Sequence, residues 1–226
     1  MEVTKLDMTQ FIQTNSYYFD DFIARATYHS NAIENNSLSF RETKALLFNE
    51  PLKITATPHE FYEVINHKHA LLYTLYEMSS LLTKEDIINI AASINKGVHH
   101  VYGYRQTDVF ISGSKHIPPT YRDVDRQMMY CIFDFNDNTS NHLFENIAKH
   151  HLMFERIHPF IDGNGRTGRI LIIYECLKHN VAPAIITQDY KADYFHYLNT
   201  QDVSRLAKLL EQLSILEAEH MQKFDN

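Results

Sequence analysis

The sequence is poor in the features that would point to several common classes of protein. Its 226 residues include two cysteines, six glycines and six prolines. Cys131 and Cys176 have no metal-ligand spacing and sit in apolar, helix-like stretches, so they predict buried free thiols. No apolar run is long enough to span a bilayer. The opening MEVTKLDMTQFIQTNSYYFDD has no basic start followed by an apolar block, so it predicts no signal peptide and a cytoplasmic protein without membrane attachment. Lysine and arginine (21) are fewer than the acids (28), for a formal net charge of −7. That balance argues against general nucleic-acid binding, which needs a basic footprint. Fourteen histidines are present, but no H-E-x-x-H or similar ligand spacing, and the pairs His99-His100 and His150-His151 read as helix-surface residues. Repeats, low-complexity tracts and Gly/Ser linkers are absent, which leaves room for one large domain or two small ones.

The pattern that remains is helical. Thr57-Pro58-His59-Glu60 has the form of an N-cap, a first-turn proline and a capping-box acid, ahead of an amphipathic run through Phe61, Ile65, Leu72 and Leu75. Ser39-Phe40-Arg41-Glu42 is a second capping box, before a short helix ending near Leu47. Thr83 caps a run through Ile87, Ile90, Ala91, Ile94 and Val98. Further helices are expected from about Tyr121 to Phe135, from about Asn141 to Ile157 with Leu143, Ile147 and Phe154 on one face, and from about Val203 to Glu219. The segment TDVFISGSKHIPP, Thr107 to Pro119, departs from this period. Its β-branched residues around Gly113 and its closing prolines predict a short hairpin or flap.

The densest chemistry lies in RIHPFIDGNGRTGR, Arg156 to Arg169. Gly163 to Gly168 satisfies the dinucleotide pattern G-x-G-x-x-G, followed by a helix, a strand candidate at Ala184-Ile185-Ile186-Thr187 and an acid, Asp189, at a suitable spacing. The residues before Gly163, however, are helical in period, charged and broken by Pro159, where a buried strand is required. A plain helix–helix turn accounts for the glycines, but not for two arginines three apart on one helical face nor for a histidine just before the turn. An anion site accounts for all of them. A glycine loop opening a helix presents free N–H groups at the positive end of the dipole. Gly163, Asn164 and Gly165 form the cradle, and Arg166 and Arg169 add two planar charged forks. Asp162 fits beside a polyphosphate if it holds a Mg²⁺, and His158 supplies an imidazole base near neutral pH.

His158 to Arg169 resembles the Fic-domain motif H-x-F-x-[DE]-G-N-G-R-x-x-R at every fixed position. YHSNAIENNSLSFRET (Tyr28 to Thr43), EFYEVINHKHAL (Glu60 to Leu71) and VFISGSKHIPP are also similar to Fic proteins, so the likeness runs roughly from Ala24 to Leu210. The resemblance implies an all-α fold: a Fic-type helical domain over residues 51–226, with a short β-hairpin flap, and an N-terminal helical extension over 1–50 carrying an inhibitory helix. It implies a Mg²⁺-dependent protein adenylyltransferase that moves AMP from ATP to a Tyr, Thr or Ser hydroxyl of a target protein and releases pyrophosphate. His158 would be the base and Asp162 the Mg²⁺ ligand. Asn164 with Gly163 and Gly165 would hold the phosphates, Arg166 the β-phosphate and Arg169 the γ-phosphate. Phe195 and Leu198 would line the adenine pocket, although the stretch between Leu198 and Asp202 is shorter than in the family and no asparagine aligns with its adenine contact. The flap residues Val109, Phe110, Ile111, Ser112 and Gly113 would grip the target backbone as an added strand. Ser30-Asn31-Ala32-Ile33-Glu34-Asn35 matches the family's inhibitory motif [ST]-x-x-x-E-[GN], placed before the catalytic motif as in class II, so Glu34 would pair with Arg169. Other Fic-type transfers, removal of AMP, and a silent nucleotide-sensing module remain open, as does a homo-oligomer.

Overall fold

The computed structural model describes residues 7–111, 113–114, 116–137 and 142–224. Its helices are α1 Met8–Thr14, α2 Ser16–Ile33, α3 Phe40–Phe48, α4 Pro58–Tyr76, α5 Lys84–Ile94, α6 Tyr121–Asn136, α7 Leu143–Ile157, α8 Asn164–Lys178, α9 Lys191–Thr200 and α10 Val203–Met221. Local chemistry sets most of the boundaries. Ser39 with Glu42, Thr57 with Glu60 and Thr83 with Asp86 close reciprocal capping boxes at the starts of α3, α4 and α5. The end of α2 is a Schellman turn: Asn35 is left-handed (φ 69°), its N–H donates to Ala32 O (3.1 Å), and Asn36 N–H donates to Asn31 O (3.0 Å).

Helix α8 is the centre of the molecule. It is buried almost all round, including Ile170, Leu171, Ile172 and Ile173 in succession, as expected of a helix enclosed by others. Helices α7, α5, α4 and α2 pack against it, while α6 and α10 flank α7. Helices α1 to α3 share one hydrophobic cluster with α4 to α8. Ile33, the last residue of α2, instead enters a second cluster with Leu152, Ile172, Tyr194 and Leu210, so the residue beside Glu34 is anchored in packed core. None of the helices is long and apolar enough to cross a membrane.

Three expectations are corrected. The buried face of α4 is Val64, His67, Leu71 and Leu75 with Asn66, Ala70 and Thr74, whereas Phe61 is 41 % exposed. Polar contacts set that rotation: Asn66 Nδ2 donates to Ile94 O (3.1 Å) and Lys96 O (2.7 Å), and His67 Nδ1 meets Thr27 Oγ1 (3.2 Å). His150 and His151 are buried, because α7 is covered on several sides. His150 Nδ1 lies 2.7 Å from Glu175 Oε1 and its ring stacks on Phe135; His151 Nε2 lies 2.8 Å from Tyr194 Oη. Third, the segment from Thr107 to Pro119 forms no strand among its described residues; Ser112 lies outside them. It contains a turn where Ser114 N–H donates to Ile111 O (3.2 Å) beside left-handed Gly113 (φ 76°). Pro118 and Pro119 have no N–H to offer a ladder, and the two ends of the segment are held by a guanidinium, as described below. The stretch 184–187 likewise forms no strand. The parallel sheet that a dinucleotide fold requires has no counterpart among the described residues.

Candidate active site

The site forms where α7 stops and α8 starts. Helix α7 ends at His158, which is left-handed (φ 50°, ψ 62°), and Pro159 prevents its continuation. A left-handed residue with a Cβ costs roughly 1–2 kcal/mol, so this turn needs support. Asn164 provides part of it: its Oδ1 accepts from Phe160 N–H and its Nδ2 donates to Phe160 O, both at 2.9 Å. The Asn164 side chain is thus committed to the loop, leaving its backbone N–H for any ligand. Gly163 caps α8 at φ 79°, and a Cβ there would press on Ile94 and Asn95. Asn95, unmarked by any motif, donates from Nδ2 to Asp162 O (3.1 Å) and fixes the loop from α5.

No side chain caps the N-terminus of α8. The first N–H groups of a helix have no acceptor within it, so those of Asn164, Gly165 and Arg166 remain for an anion. The cleft beside them has a volume of about 630 Å³ and brings together Glu34, Phe110, Ile111, Gly113, His158, Asp162, Gly165, Arg169, Phe195 and Leu198, residues expected at the site from the sequence. Val109, Gly163, Asn164 and Arg166 do not line it. The cleft also has walls that the sequence did not single out: Glu155, Tyr194, Asn199 and Gln201. Asn199 lines the same part of the cleft as Phe195 and Leu198.

Each charged group has a defined setting. Burial lowers the His158 pKa below the ordinary 6.5, with Arg105 adding to that effect against the Glu155 carbonyl, Glu34 and Asp162. Its Nδ1 lies 3.3 Å from Glu155 O; donating there leaves the lone pair on Nε2. Arg169 is buried. Its Nε donates to Ser30 Oγ (3.0 Å), and its Nη2 donates to Ser30 O (2.9 Å) and Glu34 Oε1 (2.7 Å). Its Nη1 is buried without a hydrogen-bond partner among the described residues, as is Glu155 Oε1. A Cβ on Gly165 would overlap Glu34 Oε1, so the glycine lets the carboxylate lie against the start of α8. Arg166 is held by Glu63 Oε1 (2.7 Å) and Asp162 Oδ2 (3.3 Å). Glu63 also accepts from Asn36 Nδ2 (2.8 Å), joining the turn after Glu34 to the second arginine. Burial pushes the largely enclosed Glu155 carboxyl up to about 7, with Arg169 opposing and Glu34 reinforcing the shift.

An uncapped helix N-terminus, an imidazole whose pKa burial lowers and two buried guanidinium groups thus meet around the start of α8. Comparison with known proteins identifies the family. The Fic/DOC family profile matches residues 81–176. Protein adenylyltransferase Fic of Nematostella vectensis is 35% identical over 183 residues, covering 76% of this chain and 42% of the relative. The protein of the same name in Culex quinquefasciatus is 30% identical over 178 residues, covering 76% and 35%. The chain thus spans less than half the length of these curated relatives. Among solved structures, a Fic-domain-containing signaling protein from Bacteroides thetaiotaomicron superposes with a TM-score of 0.80 at 20% identity, covering 97% of this chain and 96% of that one. Fic-1 of C. elegans superposes at 0.75 and 23% identity, covering 90% and 62%. This chain belongs to the Fic family.

Proposed function

We propose that the protein is a protein adenylyltransferase that moves AMP from ATP to a hydroxyl side chain of another protein, and that Glu34 restrains it. The observation that carries this reading is the meeting of His158, Asp162, Gly165, Arg169 and Glu34 in one cleft. ATP lies with its phosphates over the uncapped N–H groups of α8. Arg169 holds the γ-phosphate, as bidentate guanidinium groups do, and Arg166, held by Glu63 and Asp162, adds positive charge on the β-phosphate side. The target hydroxyl attacks the α-phosphorus while His158 Nε2 takes its proton. The bond to the β-phosphate oxygen breaks and pyrophosphate leaves, its growing charge met by the backbone N–H groups and Arg166. Phe195 and Leu198 flank the base.

Among the described residues no group of three or more His, Cys, Asp or Glu forms a metal cage. The Asp162 carboxylate, 41 % exposed and lining the cleft, would hold a Mg²⁺. When bound, the ion supplies positive charge against the phosphates. The flap offers Phe110, 84 % exposed, with Val109, Ile111 and Gly113, to a target segment running alongside it.

Glu34 restrains the site by occupying Arg169. An arginine already paired to a carboxylate is a poor partner for a γ-phosphate, so ATP settles in an unproductive pose. Incubation with ATP labelled in the α-phosphate tests the reading. Glu34→Gly should label itself or a lysate protein, wild type weakly, and Glu34→Gly/His158→Ala not at all. Tight ATP binding by Glu34→Gly without any labelling would favour a nucleotide-sensing module instead.

A further inference from the structure

Arg105 has no part in the chemistry above, yet it is tied to the backbone on both sides of His158 and to the flap. Its side chain is fully buried. Its Nε donates to His158 O (2.9 Å) and its Nη2 lies 3.5 Å from Ile157 O, while its own backbone N–H donates to Pro159 O (2.8 Å). One residue therefore engages three successive carbonyls around the left-handed histidine. The remaining donors go to the flap: Nη1 to Thr107 O (2.8 Å) and Nη2 to Pro119 O. Thr107 and Pro119 are the two ends of that segment. The nearest carboxylate, Asp108, stands 3.8 Å away and is well exposed, so carbonyls rather than a buried counter-ion satisfy the guanidinium. Such an arrangement needs a planar fork with donors in several directions, which a lysine ammonium does not provide.

We infer that Arg105 is a positioning residue that locks the flap and the His158 turn into one unit, so that a target held on the flap meets the imidazole at a fixed distance. It touches neither ATP nor target. Rate in such a site depends on alignment to within about 1 Å, and this clamp joins the flap to the His158 turn from inside the protein, beside the single contact of His116 Nε2 with Arg156 O (2.9 Å). The inference takes its catalytic meaning from the transferase reading, but the clamp itself can be tested without it.

The experiment compares Arg105→Lys and Arg105→Met with the parent protein. Hydrogen exchange at the amides of residue 105, His158 and Tyr121, the last of which donates to Asp108 Oδ1, should accelerate together by roughly tenfold or more. Amides in the middle of α10 should be unchanged. In Arg105→Met the His158 ring, followed by NMR, should titrate at higher pH, since a neighbouring positive charge is gone. In a Glu34→Gly background, kcat for labelling should fall on the order of 10²-fold with KM for ATP nearly unchanged. Arg105→Lys should recover part of the His158 titration shift but little of the rate. The proposal is overturned if flap amides loosen while the His158 amide and ring are unaffected, if KM for ATP rises as far as kcat falls, or if both variants simply unfold. If Glu34→Gly shows no labelling at all, the transferase reading fails, and the exchange and titration results alone decide the clamp.

Discussion

The two walls of the cleft are built in different ways. The wall at the start of α8 is enclosed: Arg169, which lines it, and Arg166, which does not, are each 5 % exposed, and they are tied to Ser30, Glu34 and Glu63. The flap wall is open: Phe110 is 84 % exposed and Ile117 71 %, and its ends are held by Arg105. On the proposed transferase reading, the first wall takes a ligand of constant chemistry, a polyphosphate that must be gripped the same way each time. The second suits a partner recognised largely through backbone, which requires little from particular side chains. On that reading the contrast separates catalysis from target choice.

Breaking the enclosed wall should have the largest effect. In an active Glu34→Gly background, His158→Ala should lower labelling on the order of 10²–10⁴-fold, the range for a positioned general base, measured by single-turnover transfer from α-labelled ATP. The same profile gives a pH test. Because burial lowers the His158 pKa, the neutral base persists below the midpoint of an ordinary imidazole, and the acid limb of the rate profile should lie below that midpoint.

Next in size is Gly165→Ala. The new methyl group would overlap Glu34 Oε1, so the carboxylate must move off the start of α8. In otherwise wild-type protein, labelling should rise about tenfold if the Glu34 contact contributes on the order of 1.4 kcal/mol to the silent state, and it should do so without any change to an acidic residue. Unchanged labelling would mean that Glu34 restrains nothing at that position.

Phe110→Ala sharpens the contrast from the other side. ATP affinity by calorimetry should stay within about twofold, since exposed residues away from a ligand rarely change its binding by more than about 0.5 kcal/mol, while labelling of other proteins should fall.

The smallest effect concerns stability. A folded-state Glu155 pKa raised from 4.5 to about 7 means that the native protein binds a proton that the unfolded chain has released across that window. The stability this group contributes is therefore present below about pH 4.5 and is lost as pH rises towards 7. Thermal midpoints at several pH values should show Glu155→Gln removing that part of the slope.

Much of this was legible in the sequence, because caps and motifs are local. Ser39, Thr57 and Thr83 announce their helices within four residues, and His158 to Arg169 carries its chemistry in one run. The Ser30–Glu34 motif was readable through resemblance, and its geometry agrees with a Glu34–Arg169 contact across 135 positions. What escaped depends on partners distant in the chain. Glu63 meets Arg166 across 103 residues and Arg105 meets His158 across 53, with no spacing rule to reveal either. The buried face of α4 was misjudged for the same reason: Asn66 and His67 lie inside because α5 and α2 supply their partners. The hairpin expectation rested on β-branched residues and closing prolines, and neither signals that a guanidinium holds the segment's ends.

The central claim is that Glu34 keeps Arg169 from the γ-phosphate of an ATP whose α-phosphate is to be transferred. The most direct measurement uses two ATP samples, one labelled in the α-phosphate and one in the γ-phosphate, with wild type and Glu34→Gly side by side. The account predicts that only the α-label becomes protein-bound, and that Glu34→Gly transfers it much faster than wild type. Protein-bound γ-label, or equal α-label rates in the two proteins, would contradict it.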